Sequence, residues 1–413
     1  MGYLLSYERG RLTALKWPCF RTIAQYSSQL LCLIYSRVAA AHLARRMPYD
    51  SREGRTGEGD VLVPAQHPDR QHPWLRAKLR AFPPALRPAA TQALACQAAG
   101  DAAPSFENPF TLADLTVFDD ETLCEQLCHA GRLRIASLGA ALHGAPEELV
   151  RRVAACLPNR AARWRFTSKL RAPIAEHAVA AAQARLLDAL FWELTYWKTP
   201  QLYDDLVEGE QLHPGIFQRL APALHDNAVL DAGAGSGRAT LACLRAGASR
   251  VYAVEPSPGL LRLLCRTLST DPLGARVTPL RGRFAALPLA DNSVRVALSC
   301  SAFTAAPEQG GERGLAELRR VTQPDGLIVI IWPRPRDFTW LAAAGFRYVA
   351  LPIPPEMRVR YRSHASALRV AHRFYARNAA VLRYLQEQRT CEVPYALLGG
   401  NPPHDYCWLR TEK

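Results

Sequence analysis

The sequence predicts an α/β protein, with a mostly parallel sheet of about seven strands over residues 199–413 and an all-helical region before it. Three observations carry this reading. Beyond Tyr203, short all-apolar runs alternate with amphipathic segments, as strands buried on both faces alternate with their crossover helices. A glycine-rich turn, Asp231-Ala232-Gly233-Ala234-Gly235-Ser236-Gly237, joins the first such run to the first such helix. From Trp74 to Tyr196 the apolar residues instead recur every three or four positions, without strand-like alternation.

In chain order, residues 1–72 read as tail and linker, without stable structure, and Asp50–His72 is rich in Gly, Arg, Asp, His and Pro. The first 46 residues are Arg-rich, with Glu8 as their single acid and an apolar run at Leu30–Tyr35. They suit a transit peptide, a membrane-surface helix, a disordered tail or an over-extended start, with Met47 as a later initiator. Helices follow over 73–198, interrupted at Pro83-Pro84, Pro104 and Pro109. Asp119 or Asp120 caps a helix that carries Leu123 and Leu127. Ile135–Leu142 forms another, stopped by Gly144. Pro146 sits in the first turn of a third, with Leu149, Val150 and Val153. Beyond Pro173 one long helix is expected over Ala178–Tyr196.

The helical residues Val117-Phe118-Asp119-Asp120, Ala141-Leu142-His143-Gly144-Ala145-Pro146-Glu147-Glu148-Leu149 and Arg160-Ala161-Ala162 resemble the C-terminal domain of the flagellar motor switch protein FliG. The resemblance spans Leu112–Leu187. It departs at the charges on which torque depends: Glu121 replaces a common Arg, and Thr167 and Ser168 replace an acidic pair. It therefore implies a helical interaction domain that binds a protein partner rather than a motor part.

In the second half the expected strands are Ala228–Ala232, Arg250–Val254, Val277–Leu280, Val294–Ser299, Leu327–Trp332, Phe346–Leu351 and Tyr406–Arg410. Ala239–Ala246, Gly259–Leu268 and Gly314–Val321 are crossover helices, and Gln323-Pro324-Asp325-Gly326 is a turn. Ligands of such sheets sit beyond the carboxyl ends of the strands. Gly233, Gly235 and Gly237 let backbone approach a ligand closely, the following helix N-terminus offers free N–H groups, and Glu255 stands where a ribose would be held. A dinucleotide fingerprint requires Gly or Ala where Arg238 stands, so a nicotinamide cofactor does not fit the spacing.

The glycine motif resembles the first motif of class I S-adenosylmethionine (SAM)-dependent methyltransferases. Gly282-Arg283-Phe284-Ala285-Ala286-Leu287-Pro288-Leu289-Ala290-Asp291-Asn292-Ser293-Val294 and Glu317-Leu318-Arg319-Arg320-Val321 with Pro324-Asp325-Gly326 are similar to later segments of the type-11 group. The resemblance covers most of residues 200–413 and implies the Rossmann-like sheet of that class, with SAM as cofactor and a small molecule or protein side chain as methyl acceptor. By position it implies that Asp231, Gly233, Gly235 and Gly237 shape the methionine pocket, Glu255 holds the ribose, and Pro256 flanks the adenine with Ser257. Phe284 meets the adenine edge, and Ser299 closes the fourth strand beside the site. Arg283 stands where an acid often accepts from the adenine amino group, and Arg295 replaces a common Asp.

No catalytic residue is assigned, because the sulfonium already activates the methyl group and a base is needed only for a protonated acceptor. His213 either lines the cofactor mouth or caps a helix, and Tyr203 either covers the methionine end or packs. Cys300 reads as packing, and Asn401-Pro402-Pro403-His404 as a loop. Pro352–Gln388 interrupts the sheet, carries Arg358, Arg360, Arg362, Arg369, Arg373 and Arg377 and, if at the rim, favours an anionic acceptor. The alternatives are a non-catalytic SAM-binding scaffold and a nucleic-acid methyltransferase.

Composition narrows the partners. A hydrophobic share of 49% supports real cores, and the formal charge is +14. No dense Lys/Arg patch interleaved with aromatics stands out along the sequence, so a nucleic-acid partner is not expected. No apolar run reaches the ~20 residues of a membrane span. The eleven cysteines form no CxxC pair. Cys124, Cys128 and His129 read as buried side chains rather than half a metal site, and the protein as cytoplasmic.

Overall fold

The computed structural model describes residues 3–8, 11–16, 72–99, 106–129, 135–354, 357–398 and 402–412. The chain divides into two compact units, Met1–Pro64 and Ala65–Lys413. In the first, β1 (Tyr3–Glu8) and β2 (Arg11–Lys16) form an antiparallel hairpin that pairs Tyr3 with Lys16 and Glu8 with Arg11. This hairpin departs from the expected structureless tail. Leu30–Tyr35, Met47 and the linker up to Gln71 lie outside the described residues.

The second unit opens with α1 (Pro73–Ala81) and α2 (Arg87–Ala99), separated at Pro83-Pro84 as expected. Asp119 caps α3 (Asp120–Cys124) by accepting from the Thr122 amide. Next come α4 (Ile135–Ala141), with Gly144 at φ 77° beyond it, and α5 (Glu147–Cys156), capped at Pro146. Asn159 caps α6 (Arg160–Arg171). The single helix expected over 178–196 is two, α7 (Glu176–Ala189) and α8 (Phe191–Lys198). Leu190 leaves the helical region at φ −101° and ψ 4°, and its buried side chain joins Phe191 and Leu194 in the core. Tertiary burial overrides helix propensity there.

These helices bury Leu115, Leu123, Leu142, Leu149, Phe166 and Leu186 in one core with Val359, Val370 and Phe374 of the 352–388 insertion. The helical region and the insertion are thus continuous in packing. A disulfide joins Cys124 of α3 to Cys156 of α5, which corrects the expectation of a free thiol at Cys124. The packing of α3 and α5 brings together two cysteines 32 residues apart in sequence, and one-dimensional spacing does not show such pairs.

After α9 (Pro200–Gly209) and α10 (Pro214–Leu224) the sheet begins with β3 (Ala228–Ala232). Then follow α11 (Arg238–Arg245), β4 (Arg250–Glu255), α12 (Pro258–Thr270), β5 (Val277–Arg281), β6 (Val294–Cys300) and α13 (Gly311–Val321). The chain continues through β7 (Thr322–Ile331), α14 (Phe338–Ala343) and β8 (Arg347–Ala350). The insertion contains β9 (Arg358–Arg360), α15 (His364–Phe374) and α16 (Ala379–Gln388). Its β9 pairs with β10 (Glu392–Pro394), and α17 (Tyr395–Leu398) precedes β11 (Asp405–Arg410).

The seven-stranded sheet has the order β5-β4-β3-β6-β7-β11-β8, parallel except for β11, which is antiparallel to both neighbours. This is the Rossmann-like arrangement expected of the second half. The expected turn at 323–326 lies inside β7, with Asp325 at φ 58° and a register shift opposite Val294 and Val296. Pairing with β6 passes from Val294 and Thr322 to Val296 and Leu327, so residues 323–326 bulge out of the ladder within the strand rather than forming a turn that ends it. The chain runs outward from β3 through β4 to β5 and then crosses back to β6 on the other side of β3, so the crevice at the carboxyl end of β3 is the topological switch point.

Helix α1 packs against β8 and β11. Lys78 and Asp405, both fully buried, form an ion pair there, and the Tyr348 hydroxyl donates to Asp405 Oδ2 at 2.5 Å. No helix among the described residues is long and apolar enough to cross a membrane.

Candidate cofactor site

At the switch point the chain must turn sharply from β3 into α11. Gly233, Gly235 and Gly237 take φ of 74°, 58° and 105°, values that cost side-chain-bearing residues energy. Contacts also require the absence of Cβ: one on Gly233 would lie 2.7 Å from Ala302 Cβ, and one on Gly237 2.6 Å from Leu264 Cδ1. The loop is held to the neighbouring strand, with Gly233 and Ala234 amides donating to the Val254 carbonyl at 2.8 and 3.0 Å.

Two buried carboxylates flank it. Glu255, at the end of β4, accepts from the amides of Gly235 and Ser257, each at 2.9 Å, one on each oxygen. Burial pushes its pKa up to about 7, although the two amides favour the ionised form. Asp231 accepts from the Thr240 hydroxyl at 2.6 Å through Oδ2, while Oδ1 is buried without a partner. Burial raises its pKa to about 6, against the opposing Thr240 hydrogen bonds. A buried acceptor without a donor marks a place where a donor is wanted. The Ser299 hydroxyl in β6 is likewise buried and unpartnered.

Pro256 follows Glu255 into α12, whose N-cap Ser257 donates its hydroxyl to the Tyr196 carbonyl at 2.8 Å. The Phe284 ring lies against the loop, 3.2 Å from where a Cβ on Gly233 would sit, and meets Phe303 edge-on. Arg283 turns the other way. Its guanidinium binds the Thr122 hydroxyl at 2.6 Å and pairs with Glu121 at 3.3 Å, Asp119 at 3.5 Å and Glu125. Asp231, the three glycines, Glu255 and Phe284 therefore gather at one crevice. The Arg283 side chain instead docks the helical region.

Arg238 was singled out in the sequence only as a break in the dinucleotide pattern, yet it organises the rim. Its guanidinium donates to the Glu210 carbonyl at 2.5 Å, pairs with the Glu210 carboxylate at 3.7 Å and approaches Cys300 and Ser301 at 3.6 and 3.4 Å. Tyr203 covers the loop, with Cε1 3.9 Å from where a Cβ on Gly235 would sit, and packs on Tyr196. The void left among Tyr203, Asp231, Gly233, Gly235, Arg238 and Cys300 is about 20 Å³, roughly the room of one water. An open groove of about 1030 Å³ runs outward from Ser236–Arg238 between α9, α10 and α11.

The remaining sequence candidates are placed as follows. His213 caps α10 by accepting from the Gly215 amide at 3.1 Å, and its other nitrogen meets the Pro352 carbonyl. His404 is buried against Phe82, with its pKa lowered to about 4 by burial and by Lys78. Asn401 lies outside the described residues. In the insertion, Arg362 pairs with Asp204 and Glu208, Arg369 with Asp205 and Arg360 with Glu392, so these arginines already have acidic partners.

Comparison with known proteins meets this geometry at the same residues. Residues 229–326 match the methyltransferase domain family. The match runs from β3 into β7 and includes the glycine loop, Glu255, Phe284 and Ser299. A curated relative, an uncharacterized methyltransferase of Mycobacteroides abscessus, is 38% identical over 124 residues, 27% of this chain and 43% of that protein. The chain thus spans less than half the length of that relative. Among solved structures, a SAM-dependent methyltransferase from Aquifex aeolicus is 22% identical with a TM-score of 0.30, covering 35% of this chain and 86% of that one. The cyclase SpnF is 18% identical with a TM-score of 0.35, covering 48% and 81%. The cofactor that the domain match implies is S-adenosyl-L-methionine.

The residues that line the crevice suit that group. Asp231 Oδ1 is an acceptor in want of a donor, the glycines leave a cradle that side chains would fill, and each Glu255 oxygen keeps a free lone pair for a ribose hydroxyl.

Proposed function

We propose that this chain transfers methyl groups from SAM to a small molecule or a protein side chain. The observation that carries the reading is the unpartnered Asp231 Oδ1 beside the glycine loop, which the Gly235–Glu255 hydrogen bond ties to the next strand. Asp231 and the loop would receive the methionine portion, Glu255 the ribose hydroxyls, and Pro256, backbone at Arg283 and Phe284 the adenine. SAM supplies a methyl group already activated by its sulfonium. The protein's part is to align the acceptor, exclude water and, for a protonated acceptor, take up a proton.

The Tyr196–Tyr203 segment stands over the loop in a closed position. Sites for small ligands enclose some 300 Å³ or more, so cofactor entry requires this segment to shift. An anionic acceptor draws no support from arginines already paired with α9 and β10. We read the helices over 73–198 as a FliG-C-like interaction domain, a reading supported by the Asp119 cap, Gly144 and the α5–α6 order. We read the location as cytoplasmic from the free thiols of Cys243, Cys265, Cys300, Cys391 and Cys407, and the Cys124–Cys156 disulfide counts against that reading.

Calorimetry with SAM and S-adenosylhomocysteine tests the cofactor. Binding that disappears in Asp231→Ala and Glu255→Ala supports the reading, and no binding to the unmutated chain defeats it. Binding without methyl transfer across an untargeted acceptor screen would favour the non-catalytic scaffold instead, which the closed crevice also suits.

A further inference from the structure

Helix α6 (Arg160–Arg171) carries Arg160, Arg163, Arg165, Lys169 and Arg171 and no acid. All five basic side chains are exposed, and none has a hydrogen-bond or ion-pair partner among the described residues. Ion-paired arginines occur elsewhere in the unit, as Arg151, Arg152, Arg283, Arg320 and Arg362 show, whereas α6 gathers unpaired ones on a single helix. Trp164, in the middle of α6, is 69% exposed, the most exposed of the large hydrophobic side chains described.

The helical repeat places Arg160, Trp164, Thr167 and Arg171 in one row at i, i+4, i+7 and i+11, with Arg163 beside it. The row is about 16 Å long, at 1.5 Å per residue. The opposite face is committed to the core: Ala162 and Phe166 are buried, and the Phe166 carbonyl lies 2.7 Å from where a Cβ on Gly139 of α4 would sit. The rigid, outward face is thus a line of guanidinium groups around one indole ring.

We infer that this face binds single-stranded nucleic acid, with the arginines on phosphates and Trp164 stacked on a base. Unpaired guanidinium groups on a chain of formal charge +14 call for a polyanion. A bare indole among them adds what phosphate alone does not use, a flat surface for a base. A lipid surface fits less well, because membrane-lying helices turn a broad apolar face outward. Here the apolar face is spent on α4, and Trp164 is the one large apolar side chain exposed on the helix. Along the sequence Trp164 is simply one residue in a helical run. Folding sorts the core residues inward and leaves the basic and aromatic ones together. The inference is independent of the methyl-transfer reading.

The test is fluorescence anisotropy of a short labelled oligouridine with the full chain across a salt series. Affinity should fall linearly in log–log form with salt. Arg160→Glu/Arg163→Glu/Arg171→Glu should weaken binding at least about ten-fold and flatten the salt slope. Trp164→Ala should weaken it by about ten-fold while leaving the slope unchanged. Arg→Gln versions and circular dichroism melts separate lost binding from lost folding. Absent binding at low salt, or unchanged affinity in folded triple variants, overturns the inference. So does equal competition by polyglutamate with no effect of Trp164→Ala, or cosedimentation with phosphatidylserine vesicles without RNA binding.

Discussion

The amide of Gly235 donates to Oε2 of Glu255 across 2.9 Å, linking the glycine loop after β3 to the acid that ends β4. This carboxylate thereby joins the Val254 carbonyl in holding the glycine loop to β4.

Glu255 sets a pH dependence. Its ordinary value of 4.5 rises to about 7 through burial. For an acid raised in this way, stability is full below 4.5 and is lost as pH climbs through 7, because the unfolded chain releases the proton first. Cofactor binding runs oppositely, since ribose hydroxyls need the ionised acceptor. SAM affinity should therefore rise with pH through about 7 and then level, and Glu255→Gln should abolish the rise. Calorimetric titrations at several pH values check this; a pH-independent affinity in the unmutated chain counts against the role.

Gly233→Ala places a Cβ 2.7 Å from Ala302 Cβ at a positive φ. Both the backbone and the contact oppose it. We expect a loss of about 1–3 kcal/mol in stability by urea titration, with SAM binding reduced more than the melting temperature alone explains.

Arg283 joins β5 and its following loop to α3 through a hydroxyl and three carboxylates. Arg283→Ala should cost about 2 kcal/mol, and Arg283→Lys should recover only part because a single ammonium cannot reproduce the fork. Urea unfolding gives the cost. Hydrogen exchange should locate the loosening in 118–129; exchange unchanged there would contradict the docking role.

Lys78 and Asp405 are both inaccessible to solvent, and burial lowers the Lys78 pKa while Asp405 opposes the fall. Lys78→Met alone strands a carboxylate and should destabilise by about 3–5 kcal/mol. Lys78→Met/Asp405→Asn should recover most of that loss. A double-mutant cycle measures the coupling, and additive single effects would mean that the pair does not act as a unit.

Much of the sheet was legible in the sequence because buried parallel strands demand short apolar runs. β3 lies at the residues expected, and β4, β5, β6 and β11 differ by a residue or two at their ends. The helical breaks were less legible. Leu190 carries no breaking residue, and only its burial beside Phe191 divides α7 from α8. The insertion arginines looked like a patch for an anion until folding set Arg362 and Arg369 against the acids of α9.

The sequence by itself determined the α/β class and the switch-point loop with Asp231 and Glu255 at its strand ends, because strand periodicity and glycine spacing are local properties of the chain. Phe284 followed from the resemblance of residues 282–294 to a known family. Only the tertiary structure decided that Arg283 answers acids from α3, that Cys124 meets Cys156, and that Tyr203 lies over the glycine loop. It also decided that Trp164 stands among unpaired arginines. Charge pairing and burial depend on which distant segments share a surface, and that is set by packing.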